Sequence, residues 1–464
     1  MVRLNNRSTS TAFFIIPGII LLLTGMCWGI IGALQYIIPG LLKSQISFER
    51  IRPLHVSSVV FWIIITSVGC TLYYVQEHTG KNIYSTRLLK WQWGLFISAI
   101  GCILLTYLLG IFGGREYWEF HPVLALPVLI SWMLCLYNFI RTTGTLKKQP
   151  VYVWMWFTGF IFFLITYLES YLWLIPYFRN NIVNDLTIQW KSYGSMVGSW
   201  NMLIYGCGIY LMDKISGTQT YSYSKTGFAI YFLGLFNLMF NWGHHIYTVP
   251  THGYIKHVSY LVSMTELLLL GRIIFLWRQQ MKENKKHIHQ PGFRFYAAAD
   301  FWIFLTLVLA IAMSIPAINV YTHGTHITVA HTMGATIGIN TFLLLAVVFD
   351  QLNPLIRKIK NFHRYLLPGF RICNISLFIF WISLIVAGIT KAWWQVHRPE
   401  VPFSTMMISL RPYFMMFMIT GVTLTAGMWM MLLPVVKQYF IHGMHAKKRL
   451  EVLYKKRSAS LATY

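Results

Sequence analysis

The stretch from Asn319 to Asn340 reads NVYTHGTHITVAHTMGATIGIN and carries His331 and Met333 two positions apart. On a helix such positions are separated by about 200°, so the imidazole and the thioether point to nearly opposite faces. Both groups ligate haem iron, and one helix lying between two macrocycles could touch each with one side chain. A lone His–x–Met in an apolar helix also packs without binding anything, so the pair gains meaning only from its company. That company is RIRPLHVSS with His55 and FNWGHHIY with adjacent His244 and His245. Two neighbouring imidazoles at a locally unwound helix end would give one metal two nitrogen ligands. The alternative is an interfacial pair facing water.

Carboxylates add to the pattern. Of thirteen Asp and Glu, only Glu169 and Glu266 fall deep in apolar stretches. Ionisable groups there are costly and point to proton handling or metal binding, unless the carboxyl is simply protonated and hydrogen-bonded. Tyr193, in YGSMVGSW, falls at a similar level. Glu116 and Glu119 accompany Arg115 in GGREYWEF, a cluster able to hold a cation or a carboxylate-bearing cofactor edge, or to stand solvated in a loop.

These residues must be positioned by membrane helices. The chain has 464 residues, 56% apolar and 11% charged, and its apolar residues fall in runs long enough to cross a bilayer. The expected fold is an all-α integral membrane protein with twelve transmembrane helices, at roughly 12–38, 54–76, 88–110, 121–140, 151–176, 188–212, 226–249, 254–277, 297–318, 325–349, 371–390 and 405–436. Loops are short and no internal repeat stands out, so residues 1–464 read as one transmembrane domain. The first apolar segment follows Arg3 and Arg7 and lacks a small-residue cleavage site, which reads as a retained span.

With the N-terminus inside, 28 of the 38 Lys and Arg fall on the inner side, among them Lys282, Lys285, Lys286, Arg357, Lys358 and Lys360. The positive-inside rule then puts both termini in the cytoplasm. It also explains the net charge of +25 by contact with anionic membrane lipid, without nucleic acid. In this topology His55, Glu169, Tyr193, His244, His245, Glu266, His331 and Met333 all lie in the outer half of the membrane. The six cysteines, Cys27, Cys70, Cys102, Cys135, Cys207 and Cys373, fall singly inside spans, as apolar residues do. No Cys–x–x–Cys–His occurs, so a covalently attached haem would have to come from a partner.

Five separated motifs, IRPLH, GREYWE, GHHIYTVPTHGYI, SMTELLLLG and YTHGTHITVAHTMG, recur in the order seen in one family. Across essentially its whole length the chain resembles the catalytic subunit of cytochrome-c-dependent nitric-oxide reductases, in the haem–copper oxidase superfamily and near the cbb3-type oxidases. The resemblance implies a subunit I-like bundle in the bacterial inner membrane. It makes His55 an axial ligand of a low-spin haem b and His331 the proximal ligand of a high-spin b-type haem. His244 and His245 become ligands of a non-haem metal, iron in the reductases and copper in the oxidases. Glu266 becomes the acid beside that metal, and Glu116 or Glu119 helps to hold a calcium ion.

Three departures qualify it. The family has His where this chain has Met333, which would make the low-spin pair His55/Met333. The sixth span lacks the family's metal-ligating His and two carboxylates, and an ungapped match puts Tyr193, Val197 and Asn201 there. Tyr193 or Glu169 could complete the metal site, and oxygen ligands would favour iron over copper. The implied activity is reduction of NO to N2O, fed by a membrane-anchored cytochrome c or another periplasmic donor. The cbb3-type relatives take an active-site tyrosine from the seventh span before the His pair, where this chain has Leu238, Met239 and Phe240. An oxygen reductase, a non-catalytic haem-bearing relay subunit and a cofactor-free transporter are the competing expectations.

Overall fold

The computed structural model describes residues 6–268 and 291–461, with side chains at 12–268 and 291–443. Lys282, Lys285, Lys286 and the end of the expected span 254–277 lie outside the described residues. The main helices are α1 (Asn6–Ile37), α2 (Phe48–Thr79), α3 (Thr86–Leu108), α4 (Ala125–Thr143), α5 (Val151–Glu169), α6 (Ile182–Ser216) and α7 (Lys225–Phe240). They continue with α8 (Gly253–Met264), α9 (Pro291–Ser314), α10 (His326–Met333), α11 (Phe342–Gln351), α12 (His363–His397) and α13 (Arg411–Leu461). An eight-residue π-helix, Gly334–Thr341, joins α10 to α11 into one continuous rod.

Sequence neighbours pack side by side, and α13 returns to α1, so the helices close into a ring. Inside it α2, α6 and α11 meet one another. Burial follows this plan: the most apolar window of α2 is 78% buried and that of the α10–α11 rod 72%, against 33% for α3. Peripheral helices leave the remainder of their apolar surface for lipid, as expected where the surrounding solvent is hydrocarbon.

At one end of the bundle the three central helices are locked by charge. Lys214 of α6 pairs with Asp350 of α11 at 2.9 Å and Glu77 of α2 at 3.1 Å, and the Tyr74 hydroxyl donates to Asp350 at 2.9 Å. At the opposite end lie the connections 38–47, 109–121, 241–252 and 315–325, and with them all the histidines singled out from the sequence.

Nine helices among the described residues are long and apolar enough to span a bilayer, where the sequence suggested twelve. The three that fall short are the segments carrying Tyr193, His244 with His245, and Glu266. Helix α6 has 35 residues, enough length, but its polar content dilutes its hydropathy. Helix α7 stops after 16 residues and passes into a 3-10 helix, Asn241–Ile246. Helix α8 has 12 residues, with a further helical turn from Glu266. In the first two segments polar site residues and the change of winding interrupt the apolar run, whereas the third is described only to residue 268, short of the end of its expected span.

Candidate functional site

His55 sits two turns into α2, against α1. Its Nδ1 donates to the Gly25 carbonyl at 2.8 Å, which leaves Nε2 as the free nitrogen. Its ring lies so close to α1 that a Cβ added at Gly29 would stand 2.8 Å from both Cε1 and Nδ1. The turn of α1 facing His55 must therefore be bare backbone.

His244 and His245 occupy the 3-10 segment that replaces the last turn of α7. The tighter winding brings two consecutive rings to centroids 4.3 Å apart, at 45°. Their setting depends on polar cross-links. Ser263 Oγ and His244 Nδ1 share a hydrogen bond of 3.2 Å, and Ser259 Oγ donates to the Asn241 carbonyl at 2.7 Å. Asn319 Nδ2 donates to the His244 carbonyl at 3.3 Å and to Met313 O at 2.9 Å. Asn241 Nδ2 donates to Glu266 Oε1 at 3.2 Å, so the acid is tethered to the segment that bears the pair. Trp190 of α6 stacks on His245, with centroids 5.1 Å apart and planes at 15°.

His331 stands in α10, which starts on Thr325, whose Oγ1 accepts from Ile327 N at 3.2 Å. The ring faces the Thr306 carbonyl of α9, although its buried Nδ1 makes no hydrogen bond of ordinary geometry. His323 and His331 both lie within electrostatic range of His244 and His245, so four imidazoles converge on one region. Met333 packs on the main core, two positions along the same regular α-turns. Directly beyond, the π-helix widens the rod, a feature that often marks functional sites.

The residues fit the groups that the sequence implied. His55, His244, His245 and His331 are densely surrounded by protein yet keep accessible surface, as side chains lining an internal space do. His55 keeps Nε2 unpaired and His331 leaves its buried Nδ1 without a partner, so each ring has a nitrogen for iron. A tight three-ligand metal site is not present: among the described residues no three His, Cys, Asp or Glu side chains are grouped to hold an ion. The second centre would thus rest on the His244–His245 pair.

Other expected participants are turned elsewhere. Glu169 ends α5 and is ion-paired with Lys191 of α6. The buried Tyr193 ring meets Tyr117 edge-on at 5.4 Å, and its hydroxyl has no partner. On α6 the residues that face His245 are instead Trp190, which stacks on it, and Gly194, whose added Cβ would lie 3.9 Å from His245 Cδ2. Glu116 and Glu119 both bind Arg52, the latter at 2.9 Å. A calcium ion would have to displace that guanidinium. Burial raises the Glu119 carboxyl above the ordinary range, outweighing its backbone hydrogen bonds and Arg52. The sequence reading passed over Trp190, Asn241, Ser263, Asn319 and His323. The last three orient or surround the pair from other segments, and only Asn241, inside FNWGHH, carried a local signal.

The family model described as cytochrome c and quinol oxidase polypeptide I matches residues 9–423. The chain belongs to that family. Its members are oxidoreductases that bind haem and a second metal centre. Over 459 residues this chain is 20% identical to a nitric oxide reductase polypeptide of Stutzerimonas stutzeri, covering 92% of this chain and 94% of that one. It is 24% identical to the Cbb3-type cytochrome c oxidase subunit CcoN1 of the same organism, covering 92% and 95%. It is 25% identical to a cytochrome c oxidase subunit 1 homolog of Agrobacterium tumefaciens, covering 86% and 79%. Among solved structures, a heme-copper terminal oxidase dimer superposes with a TM-score of 0.69 at 13% identity, covering 94% of this chain and 84% of that one, which supports the common fold. The twelve-helix bundle of the family is the fold of this chain.

Proposed function

We propose that this protein is a variant nitric-oxide reductase: two NO, two electrons and two protons yield N2O and water. The observation that supports the reading is the Asn241–Glu266 hydrogen bond, which tethers the Glu266 carboxyl to the segment bearing His244 and His245. The tyrosines of the seventh span favour it too. Tyr231 is hydrogen-bonded to Thr158 at 2.6 Å, and Tyr247 donates to Ser314 O at 3.1 Å. Neither is free to serve as the site tyrosine of a cbb3-type oxygen reductase.

In this reading His55 and Met333 would hold a low-spin haem b, His331 a high-spin b-type haem, and His244 with His245 a non-haem metal, iron in preference to copper. When bound, these groups supply electrons and Lewis-acid sites for two small gaseous molecules. The chain's own residues do the rest. Ser263 and Asn319 fix the pair so that reactants are held close together. Glu266 holds a proton within the site and supplies one of the two that the formation of water consumes. The electron donor is a membrane-anchored cytochrome c or a soluble periplasmic carrier, the membrane is the bacterial inner membrane, and both termini are cytoplasmic.

Relatives that are cytochrome c oxidase subunit 1 homologs favour a second reading, reduction of O2. Purified, reduced protein supplied with NO is expected to release N2O. O2 uptake without N2O formation selects the second reading, and two haems with no other transition metal would select an electron-relay role.

A further inference from the structure

A cavity of about 520 Å³ opens far from the histidines, between the α4–α5 connection and the start of α7, at the end of the bundle that carries Glu77 and Lys214. Four aromatic rings line it, Trp154, Tyr223, Phe228 and Phe232, together with Lys148 and Gln149. Its frame is fixed by polar bonds. Val151 N donates to the Ser222 carbonyl at 2.8 Å, which ties the start of α5 to the connection before α7. Gln149 is committed at both ends of its amide: Oε1 to His78 Nε2 of α2 at 2.9 Å and Nε2 to the Thr145 carbonyl at 3.2 Å. Lys148 has φ +61°, a left-handed backbone that is uncommon outside glycine and persists where the surroundings impose it.

The charge here is of one sign. Segments 144–154 and 217–232 contain Lys147, Lys148 and Lys225 and no Asp or Glu. Asp213, next to them in sequence, is buried and accepts from Ser222 Oγ at 2.5 Å, and among the described residues no carboxylate pairs with Lys148. From the cavity an apolar track leads away along α7. Phe228, Phe232, Phe236 and Phe240 recur every four residues, on one side of the helix, over roughly 18 Å at ~1.5 Å per residue. The last three are 59%, 43% and 40% exposed. One leaflet of hydrocarbon is about 15 Å deep, so the track matches the reach of an acyl chain.

We propose that this cleft seats one anionic phospholipid of the leaflet at that end, with its phosphate on Lys148 and an acyl chain along the phenylalanine track of α7. Lys147 and Lys225 add to the local positive charge, which draws anionic headgroups from the membrane surface. The Trp154 and Tyr223 rings suit the headgroup level, where one side of the ring is apolar and the other wet. A free anion would leave the track uncovered, and a zwitterionic lipid would bring a cation of its own toward the lysines. None of these residues takes part in the proposed chemistry, so the seat stands or falls apart from the NO-reductase reading.

Purified full-length protein, stripped of lipid in detergent, is titrated with phosphatidylglycerol, and bound lipid is counted by native mass spectrometry. One tightly held lipid per chain is expected, neither displaced by inorganic phosphate nor matched by phosphatidylcholine. Lys148→Gln should lower its affinity by about fivefold or more, while Lys148→Arg keeps it. Phe232→Ser removes an exposed ring and should lower it too. Lys90→Gln, at an exposed lysine near the start of α3 and the same end of the bundle, should leave it unchanged. Melting temperatures report whether each variant is folded. Equal affinity for phosphatidylcholine, displacement by inorganic phosphate, or full affinity in folded Lys148→Gln or Phe232→Ser overturns the seat, as does an equal loss in Lys90→Gln.

Discussion

His55 and the His244–His245 pair are positioned by opposite strategies. His55 lies within an unbroken helix, and the backbone of α1 orients it through one carbonyl bond and the bare turn at Gly29. The pair lies where helical winding changes, and side chains from other segments orient it: Asn319, Ser263 and, through the Asn241 carbonyl, Ser259. The first arrangement is rigid and fails by steric clash. The second is adjustable and fails by losing hydrogen bonds, which suits a site where small molecules must enter.

The largest effect is expected where the rigid arrangement is overfilled. Gly29→Leu drives a side chain into the imidazole, costs about 1–3 kcal/mol in packing alone, and abolishes low-spin haem binding, read from haem content and the absorption spectrum. Asn319→Leu removes both amide bonds and costs about 1–3 kcal/mol at a buried position. It should strip the second metal while both haems stay, which elemental analysis against haem content checks. Ser263→Ala frees His244 Nδ1 and should weaken metal binding by about 10–100-fold, measured by competition with a chelator. Equal loss of haem and metal in the two latter variants would refute the division between rigid and adjustable sites.

Smaller effects sharpen it. Glu119 binds its proton more tightly in the folded state than in the unfolded one, so its contribution to stability is complete below the ordinary carboxylate range and lost as pH rises through the raised value. Melting temperatures should therefore fall as pH rises through that window, and Glu119→Gln should flatten the dependence. Gly32→Ala, three residues from Gly29, meets only Ile51 Cγ2 at 3.3 Å and Phe48 Cε2 at 3.7 Å. Ala gains about 1 kcal/mol of helix propensity over Gly, so stability and haem content should stay near the wild type.

The membrane helices and the level of the histidines were legible because apolar run length and charge bias are properties of contiguous sequence. The pairing of His244 with His245 was legible too, since adjacency already required an unwound end. The cross-links were not. Asn319 and Ser263 are ordinary polar residues until the fold brings them to His244, and Trp190 looks like any aromatic in an apolar helix. Glu169 and Tyr193 misdirected for a related reason: depth was readable, but the direction of a side chain around its helix was not. Glu169 turned to Lys191 and Tyr193 to Tyr117. Arg52 was similarly hidden, being 64 residues from Glu116 in sequence.

The central claim is that imidazoles from separate helices hold haem and a second metal at one end of this bundle. X-ray absorption at the metal edge of purified protein, compared between wild type and a His244→Ala, His245→Ala double variant, tests it most directly. The wild type should show a non-haem centre with nitrogen neighbours that vanish in the variant while haem nitrogen scattering remains. An unchanged spectrum, or a wild type that is colourless and metal-free, would contradict it.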